Sequence, residues 1–295
     1  MSKVKIFSIY YSKQNLFHGK AIKTDIIEPI QTGKAATGWD LGILSDDTGD
    51  NISSKNPYYG ELTCWYWVWK NWLPQHPECE YIGFTQYRRM LGINEYRKDE
   101  KKIKDNFLLL IYKHSFKKRC YEIKEDDVCS LLKTNDVILP MQWSSRDSKP
   151  IKHIEIWHNK INIALIKELL KQEKEYDLFN PAMGTWGGYY KCTFIMKRQL
   201  FIDYMEWTFS LISRYEKAMK EINPSWTPTQ REYAFMTEHL TNYYVAKLQN
   251  KGLLTTERVL TEAVFYKPLH LSTTAFKKKY KEYKKNGIDY YSLFE

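Results

Sequence analysis

The sequence contains no long apolar run and no paired cysteine motif. Its longest apolar run is Phe107 to Tyr112, six residues, whereas a membrane-spanning helix needs about 20. The five cysteines are scattered and form no CxxC pair, so neither a zinc finger nor a disulfide framework is indicated. The first residues, Met1 to Lys5, lead into a strand pattern rather than into the apolar core of a signal peptide. We therefore expect a cytoplasmic protein with free thiols.

Several catalytic and metal-binding motifs are also missing. The sequence has no Gly-x-Ser-x-Gly, HExxH, Walker A or GxGxxG pattern. It has no strict Asp-x-Asp, which metal-dependent nucleotide-sugar transferases usually carry at a strand end, and the nearest run, Glu125 to Asp127, falls in a predicted exposed helix. His153 and His158 are five residues apart, an unsuitable spacing for a shared ion on one helix. The sequence therefore predicts no protein-held metal, and it leaves a Mn²⁺ or Mg²⁺ requirement open.

Charge and aromatic content point to anionic and flat partners. The chain has 295 residues, a net charge of +10 and a sequence pI of about 9.1. This balance favours nucleic acid, nucleotide sugars or an acidic membrane surface, although a soluble lysine-rich protein has the same balance. Aromatic residues make up 16% of the chain, which suits stacking on sugars or bases and equally suits an aromatic core. The length fits one large α/β domain, alone or with an appendage.

Strand patterns separated by helical patterns predict an α/β protein with a layered sheet. Strands are expected at 4–11, 26–30, 81–89, 136–140 and 190–196, and helices at 56–71, 125–132, 153–172, 200–220 and 230–248. Pro29 favours an edge position for the second strand. Asn56 is expected to cap the aromatic helix that follows it, and Trp67 is expected to leave the apolar face of that helix and face a ligand.

Three polar segments follow predicted strands, where ligands bind in sheets of this kind. The acidic loop 45–52 carries Asp46, Asp47, Asp50 and Asn51, which can bind a divalent metal or a nucleoside, or can simply form turns. The third strand runs through Gln86 and Tyr87 into Arg88 and Arg89, whose guanidinium groups match a diphosphate or a structural carboxylate. The third segment, Gly184 to Tyr189, includes Trp186.

The last predicted helix carries two residues of opposite charge. Arg231 and Glu238 are seven residues apart, which places them on one face of a continuous helix. They can both face a cleft, or they can form a surface ion pair. The sequence leaves both interpretations open.

Three of these segments resemble the motifs of a known bacterial family. They read Asp46-Asp47-Thr48-Gly49-Asp50-Asn51-Ile52-Ser53, then Asn56 through Asn71, and then Gly83 through Arg89. The chain resembles, over roughly residues 4 to 248, a family filed as a domain of unknown function and typical of capsular-polysaccharide, exopolysaccharide and O-antigen gene clusters. It departs from that pattern at Gln86, where the family usually has histidine. An acid–base role of that histidine in relatives would be absent here or carried by another residue.

This resemblance implies a glycosyltransferase with a GT-A-like fold: an α/β mixed sheet flanked by helices. The implied donor is a UDP-hexose, with galactose or galactofuranose favoured, and the implied acceptor is a lipid-linked glycan at the inner face of the cell membrane. The implied domain spans 1–265, with a basic insertion at 95–119. The basic amphipathic tail, 266–295, then suits a peripheral contact with an anionic membrane.

The resemblance also suggests roles for individual residues. Arg88 and Arg89 would hold the diphosphate in place of a metal ion. Glu238 and Asp47 are candidates for the general base. Substrate-binding roles are predicted for Asp46, Asp50, Asn51, Asn56, Glu61, Gln86, Tyr87, Arg89, Trp186, Tyr189 and Arg231.

Two rival classes remain. A nucleic-acid-binding protein would bind oligonucleotides tightly and with strong salt dependence, which the transferase interpretation does not expect. A non-catalytic glycan-binding subunit would bind sugar without transferring it.

Overall fold

The structure is a computed structural model that describes residues 2–16, 20–87, 89–91, 123–140, 149–184, 188–189, 192–252, 259–262 and 264–266. Within these ranges a nine-stranded mixed sheet is flanked by helices, so the predicted α/β class is confirmed. The basic insertion 95–119 lies outside the described residues, as does the tail beyond Tyr266. Among the residues described, no helix has both the length and the apolar character needed to cross a membrane.

The strands and helices follow one another in an alternating order. The strands are β1 (Val4–Tyr10), β2 (Ile27–Gln31), β3 (Leu44–Ser45), β4 (Tyr81–Gln86), β5 (Arg89–Leu91), β6 (Val137–Pro140), β7 (Phe194–Lys197), β8 (Val259–Glu262) and β9 (Val264–Tyr266). The helices are α1 (Lys34–Thr37), α2 (Asn56–Tyr59), α3 (Leu62–Trp67), α4 (Glu125–Leu132), α5 (Pro150–Trp157), α6 (Ile163–Leu170), α7 (Phe179–Gly184), α8 (Arg198–Ile222) and α9 (Glu232–Asn250).

The sheet has a parallel half and a mixed half. In the order β3-β2-β1-β4 all neighbours are parallel, and β7 then pairs antiparallel to both β4 and β6. Strand β8 pairs parallel to β6, and β5 joins β4 to β9. After β1 the chain forms β2 and β3 on one side and returns to form β4 on the other side. The two directions of winding therefore diverge between β1 and β4.

Alternating side chains divide the core between the two faces of the sheet. On β1, Phe7 and Ile9 pack with the aromatic helix and with α8 and α9, whereas Val4 and Ile6 face the opposite way and pack with α4. The larger face holds most of the aromatic rings, including the fully buried Trp65. This larger layer supports the helices that surround the carboxyl ends of the parallel strands.

Strand β2 is not an edge strand, so the expectation drawn from Pro29 is wrong. Pro29 pairs in register with Ser8 of β1, and β3 lies on the other side of β2. Because β3 pairs only with Ile30 and Gln31, it ends before reaching Pro29. The missing N–H of the proline therefore removes no bond to β3.

The aromatic helix is broken where one continuous helix was predicted. Gly60 has φ 53° and ψ −132°, a conformation that L-residues with a side chain rarely adopt, and it separates α2 from α3. Asn56 is the first residue of α2 rather than its cap. Beyond Trp67 the helix continues through a π-helical turn, Val68–Trp72.

The predicted helix 153–172 is likewise two helices. Helix α5 ends at Trp157, and α6 begins after Asn162, whose side chain accepts a hydrogen bond from the Leu165 amide at 3.0 Å. This Asn162 cap is a start signal that the apolar periodicity concealed. The break places His158 outside any helix.

Candidate functional site

A cleft of about 370 Å³ opens beyond the carboxyl ends of β1, β2 and β4. Its lining is formed by Ile9, Tyr11, Thr32, Thr37, Asn56, Pro57, Gly60, Glu61, Gln86, Tyr87, Gln230 and Arg231. In the sheet register Ile9 lies beside Gln86, so the cleft begins at the point between β1 and β4 where the winding direction changes. Crevices at such switch points are the usual ligand sites of open α/β sheets.

Three hydrogen-bonded side chains, two of them charged, meet in the cleft. Glu61 accepts a hydrogen bond from the Gln86 side-chain amide at 3.1 Å and from the Arg231 guanidinium at 2.9 Å. The Glu61 side chain is 8% exposed, whereas that of Arg231 is 45% exposed. The Glu61 carboxylate raises the pKa of Arg231 further above its already high ordinary value. The pair therefore presents the remaining guanidinium donors to the open cleft while Glu61 fixes their direction.

The backbone of Arg231 is held in an uncommon conformation. Its φ is 57°, in the left-handed region that non-glycine residues rarely occupy. Its amide donates to the Pro57 carbonyl at 2.7 Å, which joins the start of α9 to the start of α2. A Cβ atom on Gly60 would lie 3.3 Å from Nε of Arg231. The glycine therefore lets the guanidinium approach the cleft floor closely.

Asn56 ties the cleft wall together. Its side-chain amide donates to Thr32 Oγ1 at 2.9 Å and to the Gly60 carbonyl at 2.8 Å. The expected capping role is therefore wrong, because the side chain spans the α2–α3 break instead. Asn56 lines the cleft as predicted for a substrate-binding residue, and its side-chain amide donates to groups within the protein.

Asp46 lies beneath the cleft rather than in it. Its carboxylate is fully buried and accepts four hydrogen bonds from N–H and O–H groups, and the Cys64 thiol lies 4.0 Å from Oδ2. The donors are the Gly33 amide at 2.8 Å, the Lys34 amide at 3.3 Å, Ser53 Oγ at 2.6 Å and Thr63 Oγ1 at 2.5 Å. Because these donors surround both carboxylate oxygens, the expected direct contact with a ligand is not what the structure shows. Asp46 instead joins the loops after β2 and β3 to α3.

The rest of the acidic loop is also held by bonds within the protein. Asp47 accepts from Ser45 Oγ at 2.6 Å and lies 3.8 Å from the Lys34 ammonium, and Asp50 accepts from the Tyr66 hydroxyl at 3.0 Å. The Asn51 side chain closes a turn by donating to the Gly49 carbonyl at 3.0 Å and accepting from the Ser53 amide at 3.2 Å. Of the two interpretations of this loop, the turn-forming one describes Asn51.

Trp67 supports this loop instead of facing a ligand. It is 7% exposed, and its Nε1 donates to both the carbonyl and the hydroxyl of Thr48, at 2.9 and 3.0 Å. The predicted ligand-facing role of Trp67 is therefore wrong. The spacing of the tryptophans predicts that Trp67 leaves the apolar face of the helix. On that side, however, its ring is covered by the acidic loop that contains Thr48.

The aromatic members of the predicted site are divided. Tyr87 lines the cleft, and its hydroxyl lies 3.3 Å from that of Tyr11, which is 51% exposed. Tyr189 is not among the residues that line this cleft, and its backbone amide donates to Oδ1 of Asn242 at 2.9 Å. Arg88 and Trp186 lie outside the described residues, and for Arg89 the structure describes only the backbone, in β5.

Arg231 and Glu238 do not share a helical face as predicted. Arg231 precedes α9 in a left-handed conformation, so helical spacing does not apply to it. Glu238 is half-buried on α9 and acts electrostatically on Arg231, His158 and His239. The pair is therefore close in space, and Arg231 is the member that lines the cleft.

Three histidines gather next to this wall, where the sequence predicted no shared metal site. His153, His158 and His239 each offer one ring nitrogen, and these three nitrogens lie within 4.8 Å of one another. The spacing argument failed because α5 ends before His158, which then turns back toward His153. Burial lowers the pKa of His158 and of His239 to about 4, so both rings are neutral at pH 7.

Four polar lining residues were not predicted from the sequence: Tyr11, Thr32, Thr37 and Gln230. Tyr11 and Thr32 are the first residues after β1 and β2. Their position at the carboxyl ends of parallel strands was a usable signal. Thr37 and Gln230 carried no comparable signal, because Thr37 is the last residue of the short helix α1 and Gln230 lies in the turn before α9.

Comparison with known proteins agrees with this architecture. A solved apo structure described as the bifunctional glycosyltransferase WbbM is 28% identical, with a TM-score of 0.68, over 90% of this chain. The matched region covers 45% of that protein, so the present chain spans less than half of its length. No protein with a curated description is significantly similar in sequence. Residues 9–251 match the family described as "Domain of unknown function (DUF4422)", and the chain belongs to that family.

Proposed function

We propose that this chain is a glycosyltransferase and that the cleft binds its nucleotide-sugar donor. The observation that carries the proposal is the Glu61–Arg231 pair, which presents a partly exposed guanidinium at the switch point of the sheet. An anionic donor suits such a cation, and the net charge of +10 favours its approach. The similarity to a solved glycosyltransferase at 28% identity supports the same reaction class.

The donor is a UDP-hexose in this proposal, and its diphosphate faces the arginines. Arg231 lines the cleft, and Arg88 and Arg89 follow Tyr87 directly in the sequence. Their charges would stabilise the departing UDP, the task that a divalent ion performs in metal-dependent transferases. Mn²⁺ or Mg²⁺ bound with the diphosphate is compatible with this arrangement. The resemblance to polysaccharide-cluster proteins favours galactose or galactofuranose as the transferred sugar within a GT-A-like fold.

In the transfer step an acceptor hydroxyl oxygen forms a bond to the anomeric carbon. The bond from that carbon to the phosphate oxygen breaks, UDP leaves with the electron pair, and the hydroxyl proton passes to a base. Asp47 and Glu238 remain the proposed bases. Glu61 is less suited, because its carboxylate already accepts bonds from Gln86 and Arg231.

The acceptor in this proposal is a lipid-linked glycan at the inner face of the cell membrane. The tail sequence 276–285 contains six lysines and three aromatic residues, a composition that binds anionic lipid surfaces. The protein would then be cytoplasmic and peripheral to the membrane.

The proposal is tested by measuring UDP binding to the full chain and to Arg231→Gln. A hydrogen bond to a charged group contributes about 1.5–3 kcal/mol, so the variant should bind UDP about 10- to 100-fold more weakly. Arg214→Gln is the matched control, because Arg214 also lies near a carboxylate, 3.8 Å from Glu173, but outside the cleft lining. Equal UDP affinity in the wild type and Arg231→Gln would contradict the proposal that this cleft binds the donor.

A second measurement separates the rival classes. Thermal shifts with UDP-galactose, UDP-galactofuranose and UDP-glucose, each with and without Mn²⁺, report the donor and the metal requirement. Sugar transfer to a lipid-linked acceptor distinguishes an enzyme from a glycan-binding subunit. Tight, salt-dependent binding of oligonucleotides with no response to UDP would instead support the nucleic-acid class.

A further inference from the structure

The three-histidine cluster has the arrangement of a metal site. His153 comes from α5, His158 follows the end of that helix, and His239 comes from α9. Nδ1 of His153 lies 2.8 Å from Nε2 of His239, and all three residues offer a ring nitrogen within 4.8 Å of the others. Two nitrogens bound to one tetrahedral Zn²⁺ at 2.0–2.1 Å lie about 3.3 Å apart. The 2.8 Å separation is shorter than this value, and the 4.8 Å limit on the three nitrogens is longer.

The tautomer of His239 is fixed by its backbone partner. Nδ1 of His239 lies 2.6 Å from the Phe235 carbonyl oxygen, and because a carbonyl only accepts, Nδ1 carries the proton. The lone pair of Nε2 therefore points at the centre of the cluster. Metal-binding histidines usually donate their second ring nitrogen to a carbonyl or carboxylate in this way.

Charge and burial also suit a cation. His239 is fully buried, whereas His153 and His158 are half-buried, so an ion can enter from their side. Glu238, the neighbour of His239 in the sequence, places a carboxylate charge within electrostatic range of His158 and His239. Nδ1 of His153 lies 2.8 Å from Nε2 of His239, so in the metal-free protein one proton satisfies this pair. A bound Zn²⁺ would displace that proton and accept a lone pair from each ring.

We propose that His153, His158 and His239 bind one Zn²⁺ ion, with a fourth position left for water or another donor. Imidazole nitrogens select zinc and its transition-metal neighbours, whereas Mg²⁺ and Mn²⁺ prefer oxygen ligands. This ion is therefore different from a Mn²⁺ or Mg²⁺ that accompanies a nucleotide diphosphate. The site does not depend on the proposed transferase function, because no residue of the cleft lining belongs to it.

The bound ion would fasten α5 to α9 beside the cleft. The Phe235 ring is stacked on His158, with 3.8 Å between ring centroids, and the guanidinium carbon of Arg231 lies 5.0 Å from the same ring. Phe235 also supplies the carbonyl that orients His239. Zinc would therefore hold the aromatic ring against which the cleft arginine rests.

The test is a zinc titration of the full chain after chelation and dialysis. We expect one Zn²⁺ per chain by calorimetry, and no comparable binding of Mg²⁺ or Mn²⁺ without nucleotide. His153→Gln and His158→Gln should each weaken zinc binding more than the roughly 10- to 100-fold that loss of an outer-shell partner costs. His76→Gln is the matched control: His76 is also half-buried, but it contacts Trp72 and lies outside the cluster.

A Co²⁺ spectrum of the unmutated chain makes the test independent of variant folding. Four-coordinate Co²⁺ bound by histidine nitrogen shows a visible d–d band without the near-ultraviolet thiolate charge-transfer band that cysteine ligands add. The proposal is supported if the wild type and His76→Gln show this spectrum and His153→Gln does not. Absence of the band in the folded wild type, a thiolate-type spectrum, or equal zinc affinity in all variants would overturn the proposal.

Discussion

The replacement of Asp46 by asparagine should strongly destabilise the fold although it changes one atom of the side chain. Each carboxylate oxygen of Asp46 faces one backbone amide and one hydroxyl: Oδ1 accepts from Lys34 and Ser53, and Oδ2 accepts from Gly33 and Thr63. Whichever way the new amide is turned, its NH₂ group meets a backbone N–H. A hydroxyl can rotate to accept, but a backbone amide cannot.

The cost follows from the two effects combined. One hydrogen bond to a charged group is lost, about 1.5–3 kcal/mol, and one buried donor is left unsatisfied, about 1–3 kcal/mol. We therefore expect Asp46→Asn to lower the free energy of unfolding by about 2.5–6 kcal/mol. The control is Asp47→Asn, because Asp47 is partly exposed and pairs loosely with Lys34 at 3.8 Å. It should cost at most about 1 kcal/mol.

Urea unfolding followed by tryptophan fluorescence compares the two variants with the wild type. The midpoint for Asp46→Asn should fall well below that for Asp47→Asn at an unchanged m-value. If the two neighbouring substitutions shift the midpoint equally, the carboxylate of Asp46 does not organise the loop, and the interpretation of this loop as a buried support is refuted.

Two further substitutions or reactions probe the interior. Gly60→Ala should lower the free energy of unfolding by about 1–3 kcal/mol, because Gly60 has a positive φ. It should also weaken UDP binding, because the new methyl group would lie 3.3 Å from Nε of Arg231. Gly252→Ala is the control in the same unfolding assay, because Gly252 has a positive φ but open space around it. Iodoacetamide at pH 8 should modify Cys129 before Cys64 by mass spectrometry, because burial raises the pKa of the Cys64 thiol well above its ordinary value and leaves less thiolate at any given pH. Equal rates of modification would contradict the buried position of Cys64.

The periodic parts of the chain could be predicted from the sequence. Helix α8 buries Phe201, Tyr204 and Met205 on the face that their spacing indicates. Strand β6 is fully buried, as its apolar run implies. Of the predicted substrate-binding residues, those at strand and helix ends converge on one cleft, because parallel strands bring their carboxyl ends together.

The errors arose where a local pattern continued through a break in the backbone. At Gly60 the apolar spacing of the aromatic helix gave no sign of the turn that separates α2 from α3. At His158 the assumption of a continuous helix hid a cluster that tertiary structure assembles with His239. The prediction that Asp46 contacts a ligand rested on its residue type alone. A sequence does not distinguish a buried carboxylate surrounded by donors from an exposed one.

The hydrogen bonds beneath the cleft explain how Asp46, although it belongs to a loop that resembles a ligand site, supports that site from below. Thr63 donates to Asp46, and its hydroxyl lies 2.9 Å from that of Thr32. Thr32 in turn accepts from Asn56, which also holds the Gly60 carbonyl. The Thr63–Asp46 bond reaches the acidic loop, and the other bonds continue from Thr63 to the junction on which Glu61 and Arg231 meet. Because buried polar networks of this kind are costly when incomplete, changes in the loop reach the cleft through the position of that junction, and no contact between the loop and the donor is needed.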